Sequence, residues 1–84
     1  MFYKVKNVKP LPDYKLEVMF DNNVIKIYDT LPLMSVFDVF NDFKTIPNLF
    51  HQVKVDGGGY GISWNDDIDL SSNELWDNGV VKLD

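Results

Sequence analysis

Tyr14, Leu16, Val18 and Phe20 alternate with Lys15, Glu17 and Met19. That period of two marks a strand with one buried face, because successive side chains point to opposite sides of a sheet. Val24-Ile25-Lys26-Ile27-Tyr28 follows after Asp21-Asn22-Asn23. Asn tolerates positive φ, so Asn22-Asn23 predicts a tight hairpin turn between the two runs. An earlier strand, about Phe2 to Lys9, is expected in the same sheet. Its alternation slips between Val5 and Val8, which predicts a bulge. Pro10 and Pro12 frame the turn that follows.

The period then changes. Leu33, Val36, Phe37, Phe40 and Phe43 recur at spacings of three and four, so one continuous helix is expected here, with Asp38, Asn41 and Asp42 facing away. Pro32 suits its first turn and Pro47-Asn48 its end. A fourth strand is expected from Leu49 to Val55. Gly57-Gly58-Gly59 links it to a fifth, Tyr60 to Trp64. Gly61, inside that strand, marks a close backbone approach.

The last element carries the fullest set of local signals. Ser71-Ser72-Asn73-Glu74 fits a capping box: Ser71 accepts from the Glu74 amide and Glu74 reaches back. Leu70 and Leu75 hold the staple positions, and Gly79 stands where a left-handed residue ends a helix. A helix from Ser72 to Asp77 is too short to stand alone, so it must dock, through Leu75 and Trp76. Val80, Val81 and Leu83 form a short apolar tail. The order is β-β-β-α-β-β-α. This is an α+β fold of two layers, with a mostly antiparallel sheet and helices on one face.

The chain has 84 residues, read as a single domain, 1–84. A domain this small buries only roughly 60–65% of its unfolded surface. Six Phe, four Tyr and two Trp supply bulk for that core. There is no cysteine, which removes disulfides and thiolate metal sites. Met1-Phe2-Tyr3-Lys4-Val5-Lys6 turns charged too soon for a signal peptide, and no apolar run approaches a membrane span; a cytoplasmic setting is expected. The net charge of −5 disfavours a phosphate backbone as partner. Lys4, Lys6, Lys9 and Lys15 lie near the start, whereas Asp66, Asp67, Asp69, Glu74, Asp77 and Asp84 lie near the end.

No constellation for catalysis emerges. A dinucleotide fingerprint starting at Gly57 fails at Ile62 and runs into a strand instead of a helix. A calcium loop counted from Asn65 or from Asp67 lacks its Gly and Glu in both registers, so the acidic run is read as a turn and as charge at the N-terminus of the last helix. His51, the only histidine, shares strand parity with Leu49, Val53 and Val55 and is expected to flank the core. Ser35, Ser63, Ser71 and Ser72 lie in no nucleophile-elbow context. Tyr60 and Trp64 share one strand face. Base stacking there would need a basic groove, and the neighbours are acidic.

Read in order, several segments resemble a bacterial family catalogued as domain of unknown function 2442. They are Val8-Lys9-Pro10 with Asp13-Tyr14-Lys15-Leu16-Glu17-Val18-Met19-Phe20, Ile27-Tyr28-Asp29, Phe50-His51-Gln52-Val53-Lys54-Val55, Trp64-Asn65-Asp66-Asp67-Ile68-Asp69-Leu70 and Glu74-Leu75. In that family the hairpin usually turns on Asn-Gly; here Asn23 takes the Gly place. The resemblance implies a small α+β fold with no assigned activity. It also implies a protein partner, since members often look like one half of a two-gene pair resembling toxin–antitoxin modules.

The expectation is a non-enzymatic protein-binding module without cofactor or metal, an antitoxin-like partner of another small, basic bacterial protein. The candidate surface is Tyr60, Trp64, Asp66, Asp67, Asp69, Glu74 and Trp76. The alternative is a homo-oligomeric structural module, supported by the aromatic content and the apolar tail. A DNA-binding regulator is the least favoured reading.

Overall fold

The computed structural model describes residues 3–83. Its architecture is α+β, built on two antiparallel sheets. The first sheet has the order β1-β2-β3-β7, from β1 (Val5–Leu11), β2 (Lys15–Phe20), β3 (Ile25–Asp29) and β7 (Val80–Val81). The second has the order β4-β5-β6, from β4 (Lys54–Val55), β5 (Gly61–Asn65) and β6 (Ile68–Ser71). The helices are α1 (Leu31–Val36), α2 (Asp42–Thr45) and α3 (Ser72–Asn78). Among the described residues, no helix is long and apolar enough to cross a membrane.

The β2–β3 hairpin forms where the alternation placed it, with Glu17 opposite Ile27. The Asn23 amide donates to the Phe20 carbonyl, and the Phe20 amide donates to that of Val24. Asn23 sits at φ 69°, the left-handed position of a three-residue hairpin loop, a place that Gly commonly takes in such loops. The predicted bulge is present: the β1–β2 register shifts between Val5 and Asn7. Strand β1 runs on through Pro10 to Leu11, beyond the expected end at Lys9. Phe2, its expected first residue, lies outside the described residues. Pro10 therefore sits in an edge strand, where its missing N–H costs no ladder bond.

The helix expected through Phe43 is broken. Helix α1 ends at Val36, Phe37 is extended (φ −123°, ψ 113°), a 3-10 turn covers Asp38–Asn41, and α2 follows. From Ser35 to Phe43 every residue is β-branched, aromatic or a short polar side chain that competes for local backbone groups, so little intrinsic propensity opposes the break. Asn41 completes it by donating its side-chain amide to the Met34 carbonyl at 3.1 Å, an acceptor that a continuous helix would have used itself. The kink turns Phe40 and Phe43 into the core and leaves Phe37 53% exposed.

Leu49 to Val55 is likewise not one strand. Asn48 has φ 65°, and Leu49 and Phe50 are buried in succession at the start of a 3-10 turn (Phe50–Gln52). Only Lys54–Val55 pairs as β4. His51 consequently points outward and is exposed, contrary to the strand-parity expectation.

Two strands are additional to the expected order. Asn65 folds the chain back: its Oδ1 accepts from the amides of Asp67 and Ile68. Ile68 and Leu70 then bury while Asp69 and Ser71 stay exposed, forming β6. The acidic run thus makes a hairpin turn, as expected, and then a strand before the helix. The apolar tail pairs as β7 against Lys26 and Ile27.

Helix α3 has its N-cap as expected, with the Glu74 amide donating to Ser71 Oγ at 3.1 Å. Leu70 and Leu75 both join the core. The reciprocal half of the capping box is absent: the Glu74 carboxylate turns instead to the Tyr28 hydroxyl and the Asn78 side-chain amide. Gly79 is extended (φ −75°, ψ 152°), not left-handed, since the chain passes straight into β7. Its need for Gly is spatial: a Cβ there would lie 2.5 Å from the Leu75 carbonyl oxygen.

The core joins Leu16, Val18 and Phe20 of β2 to Ile62, Trp64, Ile68 and Leu70 of the second sheet, with Leu75, Phe40, Phe43 and Phe50 between. Ring contacts run from Phe40 through Phe43 to Phe50 and Trp64 at centroid separations of 4.7–6.1 Å. Each such pair adds roughly 0.5–1.5 kcal/mol beyond area burial. No buried side-chain nitrogen or oxygen among the described residues lacks a partner.

Candidate functional site

The seven candidate surface residues do not form one patch. Trp64 is 4% exposed, and its indole Nε1 donates to the Phe50 carbonyl at 3.0 Å, so it is a core residue that ties the 3-10 turn to β5. Trp76 is partly buried. Its ring stacks on Tyr3 at 3.7 Å and meets Phe20 edge-on at 4.9 Å. Lys26 Nζ sits 3.9 Å from the Trp76 ring centroid and donates to the Trp76 carbonyl, a buried cation near the C-terminal end of α3. Tyr60 precedes β5 in a helical conformation, so its ring leaves the face that Trp64 occupies and lies exposed beneath Lys4. Asp66 is exposed at the tip of the β5–β6 turn.

Asp67, Asp69 and Glu74 do converge. They line one side of a groove of about 270 Å³, with Leu70 at its base. The opposite wall comes from the broken helical segment: Leu33, Phe37, Val39 and Phe40. Asp67 reaches the rim because the Asn65 turn presents it, and Asp69 because β6 alternation turns it away from the core. Phe37 lines the groove while remaining largely exposed, at the one residue where the chain is extended between α1 and the 3-10 turn. None of these four apolar wall residues stood out in the sequence as surface. The stripe that suggested one buried helix face concealed the position where the helix stops.

Glu74 has the most ordered carboxylate of the three. Its Oε2 accepts from the Tyr28 hydroxyl at 2.8 Å and from the Asn78 side-chain amide at 2.9 Å. Burial and this carboxylate together push the Tyr28 hydroxyl far above the ordinary range of a phenol. Glu74 and Leu33 also line a second, adjoining groove of about 740 Å³, which continues past Ile27, Tyr28, Pro32 and Val80 to Asp29 and Lys15. Glu74 and Leu33 are common to the linings of both grooves, which together make up the crevice, with Glu74 at their shared boundary.

A third depression, about 570 Å³, lies elsewhere, between the Pro10–Tyr14 turn and Asn48, Phe50 and His51. Asp13, Tyr14 and Asn48, all at positive φ, line it. Thr30 fixes the Tyr14 backbone, donating from both its amide (3.1 Å) and its hydroxyl (2.7 Å) to the Tyr14 carbonyl. Among the described residues, no group of three or more His, Asp or Glu side chains is placed to hold a metal ion.

No curated protein and no solved structure matches the chain. A family described as a protein of unknown function, DUF2442, matches residues 5–80, a span from β1 to the start of β7 that includes every residue of the crevice. The chain therefore belongs to the DUF2442 family.

Proposed function

We propose that the protein is a non-enzymatic protein-binding module whose working surface is the crevice between the broken helical segment and α3. The observation that carries this reading is Phe37, 53% exposed on the wall of an apolar groove whose facing side carries Asp67, Asp69 and Glu74. A large exposed aromatic beside a pocket is the kind of residue that anchors protein interfaces. The carboxylates repel phosphate and steer a cationic surface toward the groove. The partner that fits is a small, basic protein, and the module is its antitoxin-like counterpart in the cytoplasm.

The test is a pull-down from the native host with the full chain, followed by light scattering of the recovered complex. The expected partner is basic, binds at a defined stoichiometry, and is lost with Asp67→Lys/Asp69→Lys while circular dichroism stays unchanged. Recovery of no partner, or of one indifferent to the charge reversal and to Phe37→Ala, refutes the reading.

A second reading, homo-oligomerisation, draws on β7. This edge strand leaves Val80 and Val81 71% and 50% exposed. Two residues of edge cover far less than the roughly 1,200 Å² of a stable interface, so the outer face of β3 would have to join in. A monomer at high concentration in light scattering, unchanged by Val80→Lys, eliminates it.

A further inference from the structure

We infer that the segment received by the crevice carries one cationic side chain between two apolar ones, and that Glu74 reads the cation. This rests on the proposed binding role and specifies the chemistry of the partner.

The two carboxylate oxygens of Glu74 stand in different surroundings. Oε2 is occupied by the Tyr28 hydroxyl and the Asn78 amide, two neutral donors that fix the carboxylate without neutralising it. Oε1 receives no hydrogen bond from any described residue. Among the described residues, the ion pair present is Lys82 with Glu17, which stands opposite Ile27 and does not involve Glu74. Lys15 lines the far end of the larger lobe and forms no ion pair with Glu74. A half-buried carboxylate held in place and left without a cation is a preorganised acceptor, since the ordering that a cation would otherwise impose is already done.

Position supplies the rest. Glu74 lies where the two lobes meet. On one side Leu33, Phe37 and Leu70 offer an apolar receptacle, and on the other Ile27, Pro32 and Val80 offer a second. A segment crossing that boundary therefore meets apolar surface, then a fixed negative charge, then apolar surface. Asp67 and Asp69 add negative charge to the smaller lobe, which no Lys lines, whereas in the larger lobe Asp29 is accompanied by Lys15. With one oxygen available, the contact suits the single ammonium of Lys or one end of an Arg guanidinium, rather than the bidentate guanidinium clamp. A second copy of this acidic chain would bring like charge to the same rims, so the occupant is a different, basic protein.

The probes are twelve-residue peptides with a central Leu-Lys-Leu, Leu-Gln-Leu or Leu-Glu-Leu in Gly-Ser flanks, titrated into the nitrogen-15-labelled full chain. The expected result is that the Lys peptide shifts the amides of Leu33, Phe37, Leu70 and Val80. It should bind about tenfold more tightly than the Gln peptide, the scale of one charge-assisted hydrogen bond. Glu74→Gln, which keeps an acceptor for Tyr28, should erase that preference. Equal binding of Lys and Gln peptides to the unmodified chain overturns the inference without any variant. So do an intact preference in Glu74→Gln and the absence of binding by all three. The native pull-down separates the two levels: a partner retained by Glu74→Gln but lost on charge reversal at Asp67 and Asp69 removes the role of Glu74 and leaves the binding module standing.

Discussion

Gly61→Ala should destabilise the protein although alanine is the better strand residue. Gly61 opens β5 and pairs with Ser71 of β6. A Cβ built there lies 2.7 Å from the Leu70 carbonyl oxygen, well inside the 3.4 Å at which ordinary contact begins. The obstacle is backbone belonging to the paired strand, so it can yield only by disturbing the β5–β6 ladder. Overpacking of this kind costs about 1–3 kcal/mol. Removing a glycine from the unfolded chain returns about 0.4–1 kcal/mol. The net loss is about 1–2 kcal/mol. At about 4–8 °C per kcal/mol for a domain of this length, the midpoint should fall by roughly 5–15 °C. Gly57→Ala is the internal control, because a Cβ there meets no heavy atom within 4 Å and the backbone is not left-handed. It should raise the midpoint by a few degrees. Calorimetry on both variants decides the matter. A Gly61→Ala midpoint at or above that of the parent, or equal shifts in the two variants, would show that the β5–β6 approach is not as tight as the structure draws it.

Three further outcomes are expected. Ser71→Ala removes the acceptor of the Glu74 amide and should cost about 1 kcal/mol, read by chemical denaturation, with a loss of helical dichroism from α3. Tyr28→Phe deletes the hydroxyl that donates to Glu74 and should cost about 1–2 kcal/mol at neutral pH. The raised Tyr28 hydroxyl adds a sign: its contribution is complete below the unfolded tyrosine value of about 10 and is lost as pH climbs toward the higher folded value, so the parent should lose its advantage over Tyr28→Phe in alkali. Glu17 is held below the ordinary carboxylate range by its hydrogen bond from Lys82. That contribution is present above the unfolded value and disappears as pH falls through the folded one. Glu17→Gln should therefore flatten the acid limb of stability by less than about 1 kcal/mol, and salt should shrink the difference.

The parts of the fold that were legible in the sequence are those fixed by adjacent residues. The β2–β3 hairpin depends on alternation and on the tolerance of Asn23 for positive φ, both local. The N-cap of α3 depends on Ser71 and the amide three residues on. Whether the Glu74 carboxylate would close the capping box depends on what lies nearby in space. Tyr28, 46 residues away in sequence, was close enough to claim it. Gly79 shows the same limit, since its small size serves Lys26 and Leu75 and not its own φ. Strand β6 is a different case. Ile68 and Leu70 do alternate with Asp69 and Ser71, but four residues are too short a run to stand out against an acidic composition. Asn65-Asp66-Asp67 was legible as a turn, and the strand beyond it could have been read from that turn.

The largest departure, the broken segment from Leu31 to Thr45, has the most bearing on function. A continuous helix would have aligned Phe37 with Phe40 and Phe43 on one buried stripe. The extended residue at Phe37 instead leaves its ring exposed in the groove lining with Leu70, tilted against Phe40 at a centroid separation of 6.2 Å. The break costs helical hydrogen bonds, and Asn41 recovers only one of the orphaned carbonyls. Across the groove, the hairpin turn at Asn65 and the alternation of β6 bring Asp67 and Asp69 to the facing rim. A fold governed by stability alone has no need to hold a phenylalanine 53% exposed beside three carboxylates. Disagreement between local pattern and final structure concentrates where a protein binds or reacts, because there the chain meets a second requirement. Here that disagreement falls on the crevice walls, and it is why the groove and not the exposed Tyr60 is the surface to test first.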